Sequence, residues 1–476
     1  MNMPAGHASI AQRETPTEDL VGIGFGPANL ALAIAIEEHN SNCAPDRVLR
    51  SAFVERQTGF GWHQGMLLEG ATMQVSFLKD LVTMRDPGSR FTFLRYLHER
   101  GRLADFINQK SFFPTRVEFH DYLAWCAASF GNQVSYGSEA IAVRPVQHNG
   151  RVGSLDVALR EADGPSGGTE QVVRARNIVL GTGLRAQLPE GVFAGEHVWH
   201  NRDLLFRAKE LKERPHRRFT VVGAGQSAAE TADYLYRTFP DAEVCAVFTR
   251  YGYSPADDSP FANRIFDPSA VDDFYDAPED VKRALLEYHG NTNYSVVDCD
   301  LIEELYRTVY QEKVAGTERL RILRTTALTG VEEIARGARA VVTSLTTGER
   351  STLDCDAVVL ATGYRPRDPR ELLGPLAEHC LTDSQGRLRI DRDHRLLMDD
   401  QVKAGVYLQG AATEHTHGIT SSLLSTLAVR SGEIRDSLLR RTHGRALAPA
   451  VGVVLSGDVP FPAALDTEAV TAPSGR

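Results

Sequence analysis

The chain has 476 residues, a formal net charge of −10 and 42% hydrophobic residues, the make-up of a globular protein of about two to three domains. The acidic balance, with no basic run, excludes a broad nucleic-acid-binding face, which needs clustered Lys and Arg. The longest apolar run, "ANLALAIAI" at 28–36, falls well short of the ~18 residues a membrane helix needs, so no membrane partner is expected either.

Residues 1–15 are a polar lead without a secretory apolar core, read as disordered, and the expected location is cytoplasmic. "DLVGIGFGPANLALAIAIEEHN" then reads as strand, glycine turn and helix. Helical patterning follows over 90–108 and 117–130, and short strands close with "NIVLGTG" at 177–183. A second strand–turn–helix unit opens at "RFTVVGAGQSAAETADYLYRTF". After it come a Pro- and Asp-rich loop at 251–268, helical patterning over 276–314 and a strand within 356–366. The mixed-charge run 382–395 reads as a solvated hairpin, and 405–434 as strand, glycine-containing turn and helix. Residues 445–476 read as a loose tail.

The expected fold is α/β, with two Rossmann-like dinucleotide-binding domains and a small, mostly helical substrate-binding insert. The first domain is discontinuous, over 16–212 and 368–444. The second spans 213–367 and contains the insert at 257–312.

The chemistry starts at the two turns. Gly24 permits the tight bend and Gly26 lets the backbone approach a pyrophosphate at a helix N-terminus; Asn29 stands where the third glycine usually falls. Glu55 ends the next strand, where a carboxylate can accept from a ribose hydroxyl. The second turn holds Gly223 and Gly225, followed by Gln226 and Ser227. Its next strand leads to Arg250, with Arg217 and Arg218 upstream, and a cation there favours a 2′-phosphate, hence NADPH. Two such turns in this order imply a flavin in the first and a nicotinamide in the second. A disulfide reductase would need a redox cysteine pair after the first unit, and no cysteine lies between Cys43 and Cys126.

Lys79 poses a separate question. It follows the apolar pair Phe77–Leu78, and a sequestered ammonium needs a negative partner. His415 and His417 have H-x-H spacing but no third ligand at metal-site spacing, so no metal is expected.

The strings "GIGFGPANLALA", "GWHQGMLLEGATMQVSFLKDLVTMRDP", "FFPTRVEFHDYLAW", "VVGAGQSAAE", "ADDSPFANRIFDP", "NTNYSVVD", "ATGYRP" and "THGITSSLLS" together resemble the flavin-dependent N-hydroxylating monooxygenases that make hydroxamate siderophore precursors. The resemblance is to the L-ornithine N5 branch and covers roughly 18–440. It implies FAD and NADPH as cofactors, O2 as co-substrate, and oxygen transfer through a C4a-hydroperoxyflavin without a dedicated acid–base residue. By the same resemblance Lys79 pairs with the α-carboxylate of L-ornithine, and Asn263 binds its head group. Asn293 lies between substrate and NADPH, and Ser425 stands near the reacting amine. Trp62, His63, Met73, Gln74, Ser422, Leu423 and Leu424 line the flavin together with Gly24, Gly26, Asn29 and Glu55. Gln226, Ser227 and Arg250 contact NADPH. A homo-oligomer, in tetrameric form, is implied. The alternatives are an L-lysine N6-monooxygenase and a flavoprotein reductase that does not hydroxylate.

Overall fold

The strand Thr17–Ile23 is the spine of the first unit in the computed structural model, which describes residues 17–161, 170–211 and 215–444. It pairs in parallel with Ser51–Val54 on one side and with Gln171–Leu180 on the other. The sheet continues through Val134–Ser135 beyond the first neighbour, and Gly405–Leu408 joins Gln171–Leu180 in parallel. The long strands Ser138–His148 and Arg151–Glu161 add an antiparallel meander, completing seven strands. The lead 1–15 and the tail 445–476 lie outside the described residues.

The helix Pro27–Asn42 has Pro at its first turn, where the missing N–H costs nothing. Its residues Asn29 through Ile36 are all buried. A one-sided helix would alternate, so this one is covered all round. The sheet lies against one face and the helix Leu427–His443 against another. Phe91, Phe93, Tyr96, Phe119, Tyr122 and Phe130 form a buried, closely packed aromatic cluster.

The second unit is a five-stranded parallel sheet ordered Leu320–Leu323, Glu243–Val247, Arg218–Val222, Ala357–Leu360, Val198–His200. A three-stranded antiparallel meander over 326–355 lies beside it. The packing draws two boundaries differently from the expected ones. Val198–His200 pairs with Ala357–Leu360, so the second unit begins before residue 213. The helix Cys299–Ala315 packs Leu305 into this sheet's core and leads into the strand Leu320–Leu323, which makes it the crossover element of the sheet. The expected insert limit at 312 therefore runs into that helix. Leu184–Ala186 and Tyr364–Pro366 pair antiparallel where the chain crosses between the units.

The run 382–395 does fold back on itself, with Thr382 opposite Leu388 and an exposed tip at 384–386, but it is not solvated throughout. Leu388, Ile390 and His394 are buried, and its charges turn onto the insert and the C-terminal helix: Arg387 meets Glu279, and Arg392 meets Asp272 and Glu433. Charge density alone reads as solvent exposure; here Arg387 and Arg392 reach carboxylates on neighbouring elements, while Arg395 pairs with Asp391 inside the run.

Candidate active site

The first turn is shaped for close approach. Gly24 sits at φ 84°, and a side chain there would collide with the Gly181 carbonyl. Gly26 caps the helix Pro27–Asn42, and the space a Cβ would fill is open. That open cradle at a helix N-terminus fits a dinucleotide pyrophosphate. Asn29 is fully buried; its amide donates to the carbonyls of Ile23 (3.3 Å) and Gly24 (2.6 Å) and its oxygen accepts from Gln409 (2.9 Å). It thus ties the turn to the strand behind it. The Glu55 carboxylate accepts from the backbone N–H of Phe25 (2.7 Å) and of Gln57 (2.9 Å), which fixes it at the end of its strand beside the turn.

Met73 and Leu424 join the same apolar cluster as Trp62, whose ring lies 6.2 Å from Phe119. His63 takes the left-handed conformation at φ 49°. Although the residue as a whole is exposed, desolvation by the surrounding protein, followed by the Arg116 charge, lowers its pKa to about 4. Gln74 donates to Asp298 (3.2 Å).

Lys79 ends the short helical turn Phe77–Lys79 and is half-buried. Desolvation lowers its pKa, and Asp267 opposes the shift. Its ammonium lies 5.8 Å from the centre of the Phe266 ring, and among the described residues no carboxylate comes within ion-pairing distance. Asp80 does not serve: it is buried and accepts instead from the N–H groups of Val82, Thr83 and Phe93 and the Thr83 hydroxyl.

Phe266 belongs to the helical turn Ala262–Phe266, which also carries Asn263, partly buried and donating to the Asp258 carbonyl (2.7 Å). This turn packs against Ile419–Ser422. Asn293 and Ser422 both come within reach of the Tyr294 hydroxyl, which donates to Glu414 (2.6 Å). Burial raises the Glu414 pKa, and the Tyr294 bond opposes it. Ser425 is buried, whereas Ser422, Leu423 and Leu424 are partly accessible.

In the second turn Gly223 has φ 141°, with the Ala361 carbonyl against it. Ser295 Cα would stand 3.3 Å from a Cβ on Gly225, so the "NTNYS" loop closes over that glycine. Gln226 is engaged at both ends: its oxygen accepts from Asp298 N–H (2.9 Å) and its amide donates to Asp298 (3.1 Å) and Glu230 (3.0 Å). Ser227 lies one residue on, in the first turn of the same helix. Arg250 is exposed and donates to the Ser295 carbonyl (2.8 Å), leaving its other donors for a phosphate. Arg217 and Arg218 lie at the opposite, amino end of the strand, where Arg218 pairs with Glu243 (2.7 Å). A five-residue strand spans roughly 16 Å, so they cannot join Arg250.

His415 bonds the Leu388 carbonyl (2.8 Å), while His417 is buried and stacks on His394 at 4.0 Å. No group of His, Cys, Asp and Glu able to hold a metal occurs among the described residues.

This constellation has a family counterpart. The family model described as L-lysine 6-monooxygenase/L-ornithine 5-monooxygenase matches residues 16–366. The chain belongs to this family. It is 43% identical to the L-ornithine N(5)-monooxygenase of Burkholderia cepacia over 434 residues, covering 90% of this chain and 95% of that protein. Among solved structures, the ornithine N-hydroxylase of Kutzneria sp. 744, in complex with reduced FAD, NADP+ and L-ornithine, is 50% identical with a TM-score of 0.85 over 90% of this chain and all of that one. The L-lysine 6-monooxygenase of Pseudomonas syringae is 30% identical, TM-score 0.78, over 89% of this chain and 99% of that one.

Within this Lys/Orn monooxygenase, several residues at the site escape sequence reading. Arg116 forms a bidentate pair with Glu230 (2.9 and 2.7 Å), joining the first unit to the glycine-turn helix of the second. Asp298 gathers Gln74 and Gln226, and Glu414 holds Tyr294. Their signal is weak because a lone acid or arginine in a helix reads as a solvated residue. Only the long matched strings around Arg116 and Asp298 pointed there.

Proposed function

We propose that this chain hydroxylates the side-chain amine of L-ornithine at N5 for a hydroxamate siderophore or related product. The balance is amine, O2, NADPH and a proton giving hydroxylamine, NADP+ and water. The observation that carries the reading is Lys79: a half-buried ammonium beside the turn that carries Asn263, without a carboxylate of its own among the described residues. An amino acid's α-carboxylate completes it.

When bound, FAD reduced by NADPH supplies the activated oxygen. The chain's own residues do the rest. Gly24, Gly26, Asn29 and Glu55 form the seat for the flavin nucleotide; Gly223, Gly225, Ser227 and Arg250 form that for NADPH, with Gln226 bracing the turn. Lys79 and Asn263 fix the head group, and Asn293 and Ser422 flank the space between. The apolar wall of Trp62, Met73 and Leu424 excludes water, which lowers the pKa of the entering amine from ~10.4 toward the neutral, reactive form. Holding the head group makes oxygen transfer nearly unimolecular and sets the reach of the amine beside Ser425.

Lysine is one methylene longer, worth only ~0.8 kcal/mol in transfer energy, so discrimination lies in registration rather than binding. The test is product analysis with NADPH, FAD, O2 and either amino acid. Hydroxylamine from ornithine, with lysine stimulating NADPH oxidation to H2O2, is expected. Equal hydroxylation of lysine supports the lysine N6 reading, and none with either supports a plain reductase.

No described helix is long and apolar enough to cross a membrane, and we infer a cytoplasmic homo-oligomer, of tetrameric form. Tyr306, Tyr310 and Val314 recur at four-residue spacing along Cys299–Ala315 and are 74%, 60% and 72% exposed, a stripe suited to a second copy. Sedimentation of the holoenzyme decides this; a monomer at micromolar concentration refutes it.

A further inference from the structure

A polar cluster with no part in the chemistry above lies behind the flavin-lining turn. Arg430 is 4% exposed and donates to the Ser421 carbonyl (2.7 Å), supporting that turn from the helix Leu427–His443. Three residues on, on the same face, Glu433 accepts a bidentate pair from Arg392 (3.0 and 2.9 Å). The remaining edge of the Arg392 guanidinium reaches Asp272 (2.7 Å), on the insert helix Pro268–Asp276. That helix follows directly on the turn bearing Asn263. One planar cation therefore joins the helix that follows the head-group turn to the helix that supports the flavin-lining turn.

The neighbours make the same joint rigid. Phe274 lies 3.2 Å from the place a Cβ would take on Gly418, the residue that opens the turn, at φ 79°. The Tyr275 hydroxyl donates to the Ile390 carbonyl (3.3 Å), and its ring centre is 5.4 Å from that of His417. His417 in turn bonds the Arg392 carbonyl (3.2 Å). Lysine could not replace this arginine: a point charge cannot hold two carboxylates with flat, divergent N–H groups.

We propose that Arg392 is a positioning residue for the reaction, registering the insert against the turn Ile419–Ser422 and so setting how far the clamped substrate's amine reaches. The inference rests on the proposed ornithine hydroxylation. Its signature is coupling, since a displaced insert still admits NADPH and O2 but misplaces the amine, and a 1 Å error costs up to ~100-fold in such a step.

The experiment compares wild type with Arg392→Gln, Arg392→Lys and Asp272→Asn as holoenzymes. Asp272→Asn keeps the test informative if the first variant folds poorly, because that side chain is 61% exposed and its loss leaves the Arg392–Glu433 pair intact. The readouts are flavin reduction by NADPH, ornithine KM, and the ratio of hydroxylamine to H2O2. Expected are unchanged flavin reduction in Asp272→Asn and a ratio lowered ~3-fold there and ~10-fold or more in Arg392→Gln, with at most partial rescue by lysine. Wild-type ratios in Asp272→Asn and Arg392→Lys overturn the positioning role while wild-type hydroxylation preserves the functional reading. A wild-type enzyme that makes no hydroxylamine from ornithine sinks both.

Discussion

Replacing Lys79 by alanine removes the one cation that meets the substrate's carboxylate in the proposed pose. Two unit charges at about 4 Å attract by ~4 kcal/mol at an effective dielectric of ~20. Truncating one member of a buried, hydrogen-bonded charge pair costs ~2–5 kcal/mol. Lys79 is only half-buried, which places it at the lower end, about 2–3 kcal/mol, or a ~30- to 150-fold rise in ornithine KM. The free enzyme loses no ion pair, because Lys79 has no carboxylate partner among the described residues, and a desolvated cation is relieved. Lys79→Ala should therefore melt no lower than wild type. Stopped-flow reduction of the flavin by NADPH should be nearly unchanged, while hydroxylamine formation at low ornithine collapses. Unchanged ornithine KM, or a lost reduction rate at unchanged KM, would refute the assignment.

Arg250→Ala should raise the KM for NADPH by ~5- to 10-fold and leave NADH use unaltered, the discount reflecting an exposed guanidinium; equal losses with both nucleotides would remove the 2′-phosphate role. Glu230→Gln strands Arg116 at a nearly buried site and should cost ~3 kcal/mol in urea unfolding, with a loss under ~1 kcal/mol counting against the pair as a fastener of the two units. His417, held neutral by burial and then by His394, has its pKa lowered to about 2. Below pH ~6.5 the unfolded chain takes up a proton there that the folded chain refuses, so stability present above that pH is lost toward pH 2 at ~1.4 kcal/mol per unit. The slope of unfolding free energy between pH 6 and 5 should flatten by one proton in His417→Gln, and an unchanged slope would show that His417 titrates normally.

Both nucleotide turns were legible because their constraint is local: Gly24 and Gly223 need positive φ, and the strand before and helix after show in the apolar pattern. The crossover helix was not assignable. Leu301, Ile302, Leu305 and Val309 give Cys299–Ala315 a helical stripe, but periodicity does not say which core receives it. The strand Val198–His200 is three residues long and lies outside the expected domain; only its pairing with Ala357–Leu360 assigns it. Arg217 and Arg218 were misjudged as companions of Arg250 because sequence nearness says nothing about which end of a strand faces the ligand. Lys79 was legible as an anomaly, an ammonium beside apolar residues, whereas Asn263 and Asn293 had no signal apart from the strings around them. Asp298 and Arg392 act across more than seventy and forty residues of chain respectively, a relation no linear pattern encodes.

The paired crossing strands Leu184–Ala186 and Tyr364–Pro366 have a mechanical consequence. Two independent linkers would let one lobe twist and slide on the other; a hydrogen-bonded ribbon bends easily in one direction and resists shear along its length. The paired connection therefore restrains relative motion of the two units more than two separate linkers would. The Arg116–Glu230 fork is a second tie between the same two units, so relative motion between them has to break that pair as well as bend the ribbon.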